Sequence, residues 1–143
     1  ISRLQHSTRF DNLPPDIMII YMGNNDALVQ NLNTANFEKS YRNMLNNLYT
    51  LYPNIQLFLG TLSYEKYFVG KDYYEEHVLV TAEVNRIIQS LANEYNLPII
   101  DFATAYSDSS YLFDTIHPNV LGMKALANVA IDAISKFYNP TTI

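Results

Sequence analysis

From Asp16 to Met22 the chain reads DIMIIYM, apolar without a break from Ile17 on and set between Pro14-Pro15 and Gly23. A strand with one face in water alternates apolar and polar side chains. A continuous run is what a strand buried on both faces of a parallel sheet requires. Parallel strands cannot be joined by a tight hairpin and need crossover connections, usually helical. The rest of the chain is therefore expected to alternate strands with amphipathic helices.

It does. Across residues 36–51, Phe37, Tyr41, Met44, Leu45, Leu48 and Leu51 recur at helical spacing, with Asn36 as the expected N-cap and Pro53-Asn54 as the stop. IQLFLGTL, from Ile55 to Leu62, reads as a second strand. An aromatic stretch comes next, with Tyr64, Tyr67, Phe68, Tyr73 and Tyr74. It suits either a stacking platform for sugars or acyl chains, or a lid folded over the sheet edge. Val80, Val84, Ile87, Leu91 and Tyr95 mark a second helix over residues 77–95. Ile99 to Phe102 reads as a third strand, and a loop then runs to Pro118. The last helix starts after Asn119, a good cap, and carries Met123, Leu126, Ala130, Ala133 and Phe137. The order β-α-β-α-β-loop-α predicts an α/β fold, a parallel sheet with helices on both faces as three α/β/α layers. Ligands in such sheets bind beyond the carboxyl ends of the strands.

Length and composition fit one domain spanning the 143 residues, with 48% hydrophobic and 16% charged residues. A net charge of −5 argues against a nucleic-acid partner. No apolar run approaches the roughly 18 residues of a membrane span, so no integral membrane segment is expected. The chain has no cysteine. A disulfide framework, a thiolate zinc site and a cysteine nucleophile are thereby excluded.

Two motifs fall at strand ends. Gly23-Asn24-Asn25-Asp26 comes directly after the first strand, and Asp114-Thr115-Ile116-His117-Pro118-Asn119 closes the loop after the third. His117 can take a proton from a hydroxyl nucleophile and return it to a leaving group. Asp114 can hold the other ring nitrogen, fix the tautomer and stabilise the imidazolium. Asn25 can aim its amide at the oxyanion of a tetrahedral intermediate, and Gly23 lets the strand end in a tight turn. Blander roles compete. Asn25 suits a tight turn in any case, and Asp26 reads as a structural hydrogen-bond acceptor. His6 and His77 sit in polar helical contexts with no assigned chemistry. Ser107, Ser109 and Ser110 lie near the acid–base loop without a nucleophile-positioning turn. Asp26, Asp114 and His117 lack the compact clustering of a metal site, and no cofactor is implied.

G-x-N-D after a buried strand, then D-x-x-H-P-N-x-x-G before a C-terminal helix, resembles the SGNH hydrolase superfamily of GDSL esterases and lipases. The resemblance runs from the strand at Asp16 to the helix ending near Tyr138. It implies that Asn25, with Gly23 and Asp26, forms the block whose asparagine is an oxyanion-hole donor. It implies that Asp114 and His117 are the acid and base of a Ser-His-Asp triad, with Pro118 and Gly122 as the usual continuation.

The chain departs from the family where the nucleophile should be. No serine comes after Gly-Asp, and the family's second oxyanion block is absent. Ile1-Ser2-Arg3-Leu4 resembles the segment immediately downstream of that second block in the family. The expectation is thus the C-terminal part of a serine esterase or lipase with two N-terminal strands missing, the nucleophile outside the chain, and no activity on its own. Its substrates would be acetylated carbohydrates or small acyl esters. The resembled sheet would leave the apolar strand Ile17-Met18-Ile19-Ile20 with a bare edge, which predicts self-association there or completion by another segment. The alternative is a non-catalytic SGNH-like module that binds a glycan or a partner. A flavodoxin-like phosphate binder fits the topology but lacks a Gly-rich loop.

Overall fold

The computed structural model describes residues 14–28, 31–63, 74–105, 109–114 and 117–140. The aromatic stretch from Tyr64 to Tyr73, together with His6 and Ser107, lies outside them. Strand β1 (Ile17–Ile20) leads through Gly23 into the single helical turn α1 (Asn24–Ala27), then α2 (Thr34–Leu51). Strand β2 (Gln56–Gly60), helix α3 (Tyr74–Glu94) and the short β3 (Ile99–Ile100) come next. Two 3-10 turns, Phe102–Thr104 and Ser109–Tyr111, precede α4 (Val120–Tyr138). The strands lie in the order β1-β2-β3 and all pair in parallel, with Ile17 beside Gln56, Ile20 beside Leu59, and Leu59 beside Ile99.

The sheet separates two apolar layers, as the period of two in a strand dictates. Leu57 and Leu59 of β2 point to one side, where they pack with Ile20 against Tyr41, Met44, Leu45 and Leu48 of α2 and Val84, Ile88 and Leu91 of α3. Phe58 points to the other side and joins Ile100 and Phe102 beneath Leu126, Ala130, Ala133 and Ile134 of α4. Each fully buried aliphatic or aromatic side chain here contributes about 1.5–3 kcal/mol relative to exposure. The result is the expected α/β/α arrangement.

Several boundaries differ from the sequence expectation. Helix α2 begins two residues earlier, because Asn33 rather than Asn36 is the cap: the Asn33 Oδ1 accepts from the Asn36 backbone N–H at 3.0 Å. Leu51 keeps the helical spacing but is 54% exposed, since it sits past the end of the packed face. Phe102 belongs to a turn, not to β3. Its ring lies over Gly60, where an added Cβ would meet ring carbons at 2.5 and 2.7 Å. A glycine at the end of β2 and a turn after β3 therefore require each other. On α4, Met123 is exposed, and Leu126, Ala130 and Ala133 carry the packing.

Strand β1, like β3, is an outer strand and pairs with β2 alone among the described residues. By register Ile19 lies beside Phe58, on the α4 side. Helix α4 covers β2 and β3 but not this flank, so Ile17 and Ile19 remain 39% and 40% exposed.

Candidate functional site

At the carboxyl end of β1 the chain turns on Gly23, whose φ of 126° is a backbone state side chains rarely adopt. A Cβ there would also press on Leu62 Cδ1 at 3.2 Å and Phe37 Cζ at 3.3 Å. The Gly23 carbonyl accepts from the Ala27 N–H at 2.8 Å, closing the one-turn helix that carries Asn25 and Asp26. Both side chains are exposed. Among the described residues nothing hydrogen-bonds the Asp26 carboxylate, so the acceptor role expected for it has no support there. Ala27 is buried beneath the turn, and its carbonyl accepts from His77 Nδ1 at 3.0 Å.

Beyond β2, Asn85 of α3 holds the chain at Leu62 through both backbone groups. Its Oδ1 accepts from the Leu62 N–H at 2.7 Å and its Nδ2 donates to the Leu62 carbonyl at 2.9 Å. Beyond β3, Thr61 Oγ1 donates to Asp101 Oδ1 at 3.0 Å and accepts from the Ala103 N–H at 3.0 Å. Side chains thus reinforce the strand ends, beside the ladder bond in which the Thr61 N–H donates to the Ile100 carbonyl at 3.0 Å.

Asp114 and His117 form a closed unit. One carboxylate oxygen, Oδ1, accepts the His117 backbone N–H at 2.7 Å, and the other, Oδ2, meets the ring Nδ1 at 2.8 Å. A carboxylate accepts only, so Nδ1 carries a proton, and in the neutral ring Nε2 then holds the lone pair that can act as a base. The side chains are 72% exposed for His117 and 46% for Asp114.

The loop around them is tied to the start of α4. Leu112 bridges Pro118 in antiparallel fashion, and the Phe113 N–H donates to the His117 carbonyl at 2.8 Å. Asn119 is the hub. Its Oδ1 caps the helix by accepting from Leu121 and Gly122 N–H at 2.9 and 3.1 Å. Its Nδ2 donates to the carbonyls of Ser110 at 2.7 Å and Leu112 at 3.2 Å. Ser109 and Ser110 belong to this scaffolding: the Ser109 carbonyl accepts from Leu112 and the Ser110 carbonyl from Asn119.

By chain order Asn25 lies just beyond the carboxyl end of β1, and the Asp114–His117 pair lies on the connection from β3 to the start of α4. At a spacing of about 4.8 Å per strand, β1 and β3 are roughly 10 Å apart. No hydrogen bond joins Asn25 to the pair among the described residues. An open groove of ≈ 560 Å³ flanks the pair, lined by Phe113, Pro118, Val120, Met123, Lys124 and Ala127 among others. Among the described residues there is no group of three or more His, Asp or Glu side chains that could hold a metal ion. None of their helices is long and apolar enough to cross a membrane.

His77 is the site-region residue that sequence reasoning passed over. Its polar neighbours suggest a surface helix, yet it is 6% exposed. The signal lay in its spacing from Thr81, Val84 and Ile88, which places it on the buried face of α3.

Solved structures resemble this chain in fold, among them the following three. An alpha/beta hydrolase enzyme from the metagenome of Lake Arreo, Spain, superposes with a TM-score of 0.72 at 18% identity, covering 92% of this chain and 64% of that one. A catalytic mutant of Axe2, an acetylxylan esterase from Geobacillus stearothermophilus, gives 0.72 at 19% identity, covering 93% of this chain and 64% of that one. A Clostridium thermocellum family 3 carbohydrate esterase gives 0.66 at 21% identity, covering 95% of this chain and 63% of that one. The chain therefore spans slightly under two thirds of the length of these structures. No curated protein matches it. The family model of the GDSL-like lipases and acylhydrolases matches residues 2–125, and with that span matched the chain belongs to the GDSL-like Lipase/Acylhydrolase family.

Proposed function

We propose that the chain supplies the acid–base half of a carboxylic-ester hydrolase that works through an acyl-enzyme. The observation that carries this reading is the two-point grip of Asp114 on His117, through the backbone N–H at 2.7 Å and ring Nδ1 at 2.8 Å. That grip sets the ring tautomer and presents Nε2 as the base. In the forward step Nε2 takes the proton of a serine hydroxyl as its oxygen attacks the ester carbonyl. Asp114 stabilises the imidazolium, and the proton then passes to the departing alkoxide. Asn25 donates to the oxyanion of the tetrahedral intermediate. Water repeats the sequence to release the acid.

The serine comes from outside residues 1–143, since no Gly-Asp-Ser occurs within them. The substrate class is taken from the neighbours in fold, one an acetylxylan esterase and one a carbohydrate esterase: acetylated carbohydrates, or small acyl esters of similar size.

The test compares residues 1–143 with the full-length gene product on p-nitrophenyl acetate and acetylated xylan. Turnover by the full-length product, abolished in His117→Ala and absent from the shorter chain, is the expected result. Turnover by residues 1–143 that requires His117 would place the nucleophile within the chain. A full-length product that binds acetylated glycan without turnover would establish the binding-module reading instead.

A further inference from the structure

Two segments at the carboxyl end of the sheet are held by one helix, and the hold on the first passes through a residue with no part in the chemistry proposed above. Asn25 sits on an exposed one-turn helix, and a four-residue helix cannot hold its own geometry in water. It begins at Gly23, whose left-handed φ fixes the entry, and it ends at Ala27. At that exit the Ala27 carbonyl accepts from His77 Nδ1 at 3.0 Å, across 50 residues of sequence, with both residues buried. Eight residues along the same helix, Asn85 holds Leu62 by two bonds, and Leu62 Cδ1 is the atom a Cβ on Gly23 would press first.

We infer that His77 is a positioning residue: by donating its Nδ1–H to the Ala27 carbonyl it holds the Gly23–Ala27 turn at the height that aims the Asn25 amide into the oxyanion site. The inference rests on the proposed role of Asn25. Carbonyl groups only accept, so the ring must carry its proton on Nδ1. A turn free to shift by about an ångström would leave substrate binding in place but misplace a donor that matters only in the transition state. The signature is a fall in kcat with KM nearly unchanged.

The experiment uses the ester-cleaving full-length product and a pair of polar replacements. In His77→Asn the side-chain amide nitrogen can occupy the place of Nδ1; in His77→Gln it lies one bond further out. His77→Asn is expected to keep kcat within about threefold of the parent. His77→Gln is expected to lose about tenfold, the equivalent of one hydrogen bond. Comparable urea midpoints for the two variants separate this from a difference in folding. Equal kcat values for Asn and Gln would overturn the inference. A double-mutant cycle gives the second readout. If His77 acts through Asn25, adding His77→Gln to Asn25→Ala lowers kcat no further. Full multiplication of the two losses would mean that His77 acts independently and would also overturn the inference. Failure of the parent reading has its own mark: Asn25→Ala alone would then leave kcat unchanged.

Discussion

Gly122→Ala sets two physical effects against each other, and the sign of the result decides between them. Gly122 lies in the first turn of α4. Replacing a helical glycine by alanine stabilises by about 0.5–1 kcal/mol where there is room. Here there is none. The added methyl would overlap the Tyr111 backbone carbonyl oxygen and sit 2.8 Å from Pro118 Cβ. Neither is the free end of a flexible side chain. Relief needs a displacement of about 1 Å between the 111–118 loop and the helix, since carbon contacts settle near 3.5–4.0 Å. Overpacking of this kind costs about 1–3 kcal/mol. The same displacement strains the Asn119 N–H bond to the Tyr111 carbonyl, 2.9 Å long, which is worth a further ~0.5–1.5 kcal/mol. The net expectation is a loss of about 1–3 kcal/mol. With a urea m-value of about 2 kcal/mol/M, the midpoint falls by roughly 0.5–1.5 M. In NMR spectra the His117 Nδ1–H resonance should weaken in parallel, because Asp114 and His117 ride on the displaced loop. An unchanged or raised midpoint would show that the loop yields freely, and the clamp described around Asn119 would then be wrong.

In the full-length product, Asp114→Asn is expected to lower kcat by about 10³–10⁴, read on p-nitrophenyl acetate, because an amide offers Nδ1 no fixed acceptor and frees the wrong tautomer. Asn119→Ala removes a cap and two donors to the 109–112 turn, and should lower stability by about 2–4 kcal/mol in urea. Asn119→Asp keeps the cap and should fall between. Burial pushes the Tyr41 phenol above its ordinary value of 10.0. Its contribution to stability is thus whole below about pH 10 and lost as the pH rises beyond it. Tyr41→Phe should therefore flatten the alkaline limb of a midpoint-against-pH curve. Ile19→Lys, on the uncovered flank of β1, should shift sedimentation of residues 1–143 toward the monomer if that edge is where copies meet; an unaltered profile would place any association elsewhere.

The parallel sheet was legible because the strands of such sheets carry unbroken apolar runs, as β1 does from Ile17 on, although the burial on both faces that this run led us to expect is not met at Ile17 and Ile19. The contact between Asp114 and His117 was legible for a different reason: a spacing of three residues keeps the two side chains within reach of each other. What resisted reading depended on distant partners. Nothing around His77 announces that its ring meets the carbonyl of Ala27. The choice of Asn33 over Asn36 as cap turned on where the chain enters the helix, and two asparagines three residues apart are locally equivalent. Strand β3 ended early because the Phe102 ring takes the space that Gly60 leaves, a fit between strand ends far apart in sequence.

The hydrogen bonds described above for the Asp114–His117 unit lie between residues 109 and 123. The seat of the helix behind them is set elsewhere, by how Leu126, Ala130 and Ala133 pack on Phe58, Ile100 and Phe102. Helix α4 acts as a lever with the Asp114–His117 pair at its tip. A substitution on its packed face would leave the imidazole's own geometry and tautomer intact while carrying the whole ring toward or away from the serine that the proposed mechanism has it deprotonate. Variants of the α4 seat and variants of Asp114 should then fail in distinguishable ways, the first by reach and the second by protonation.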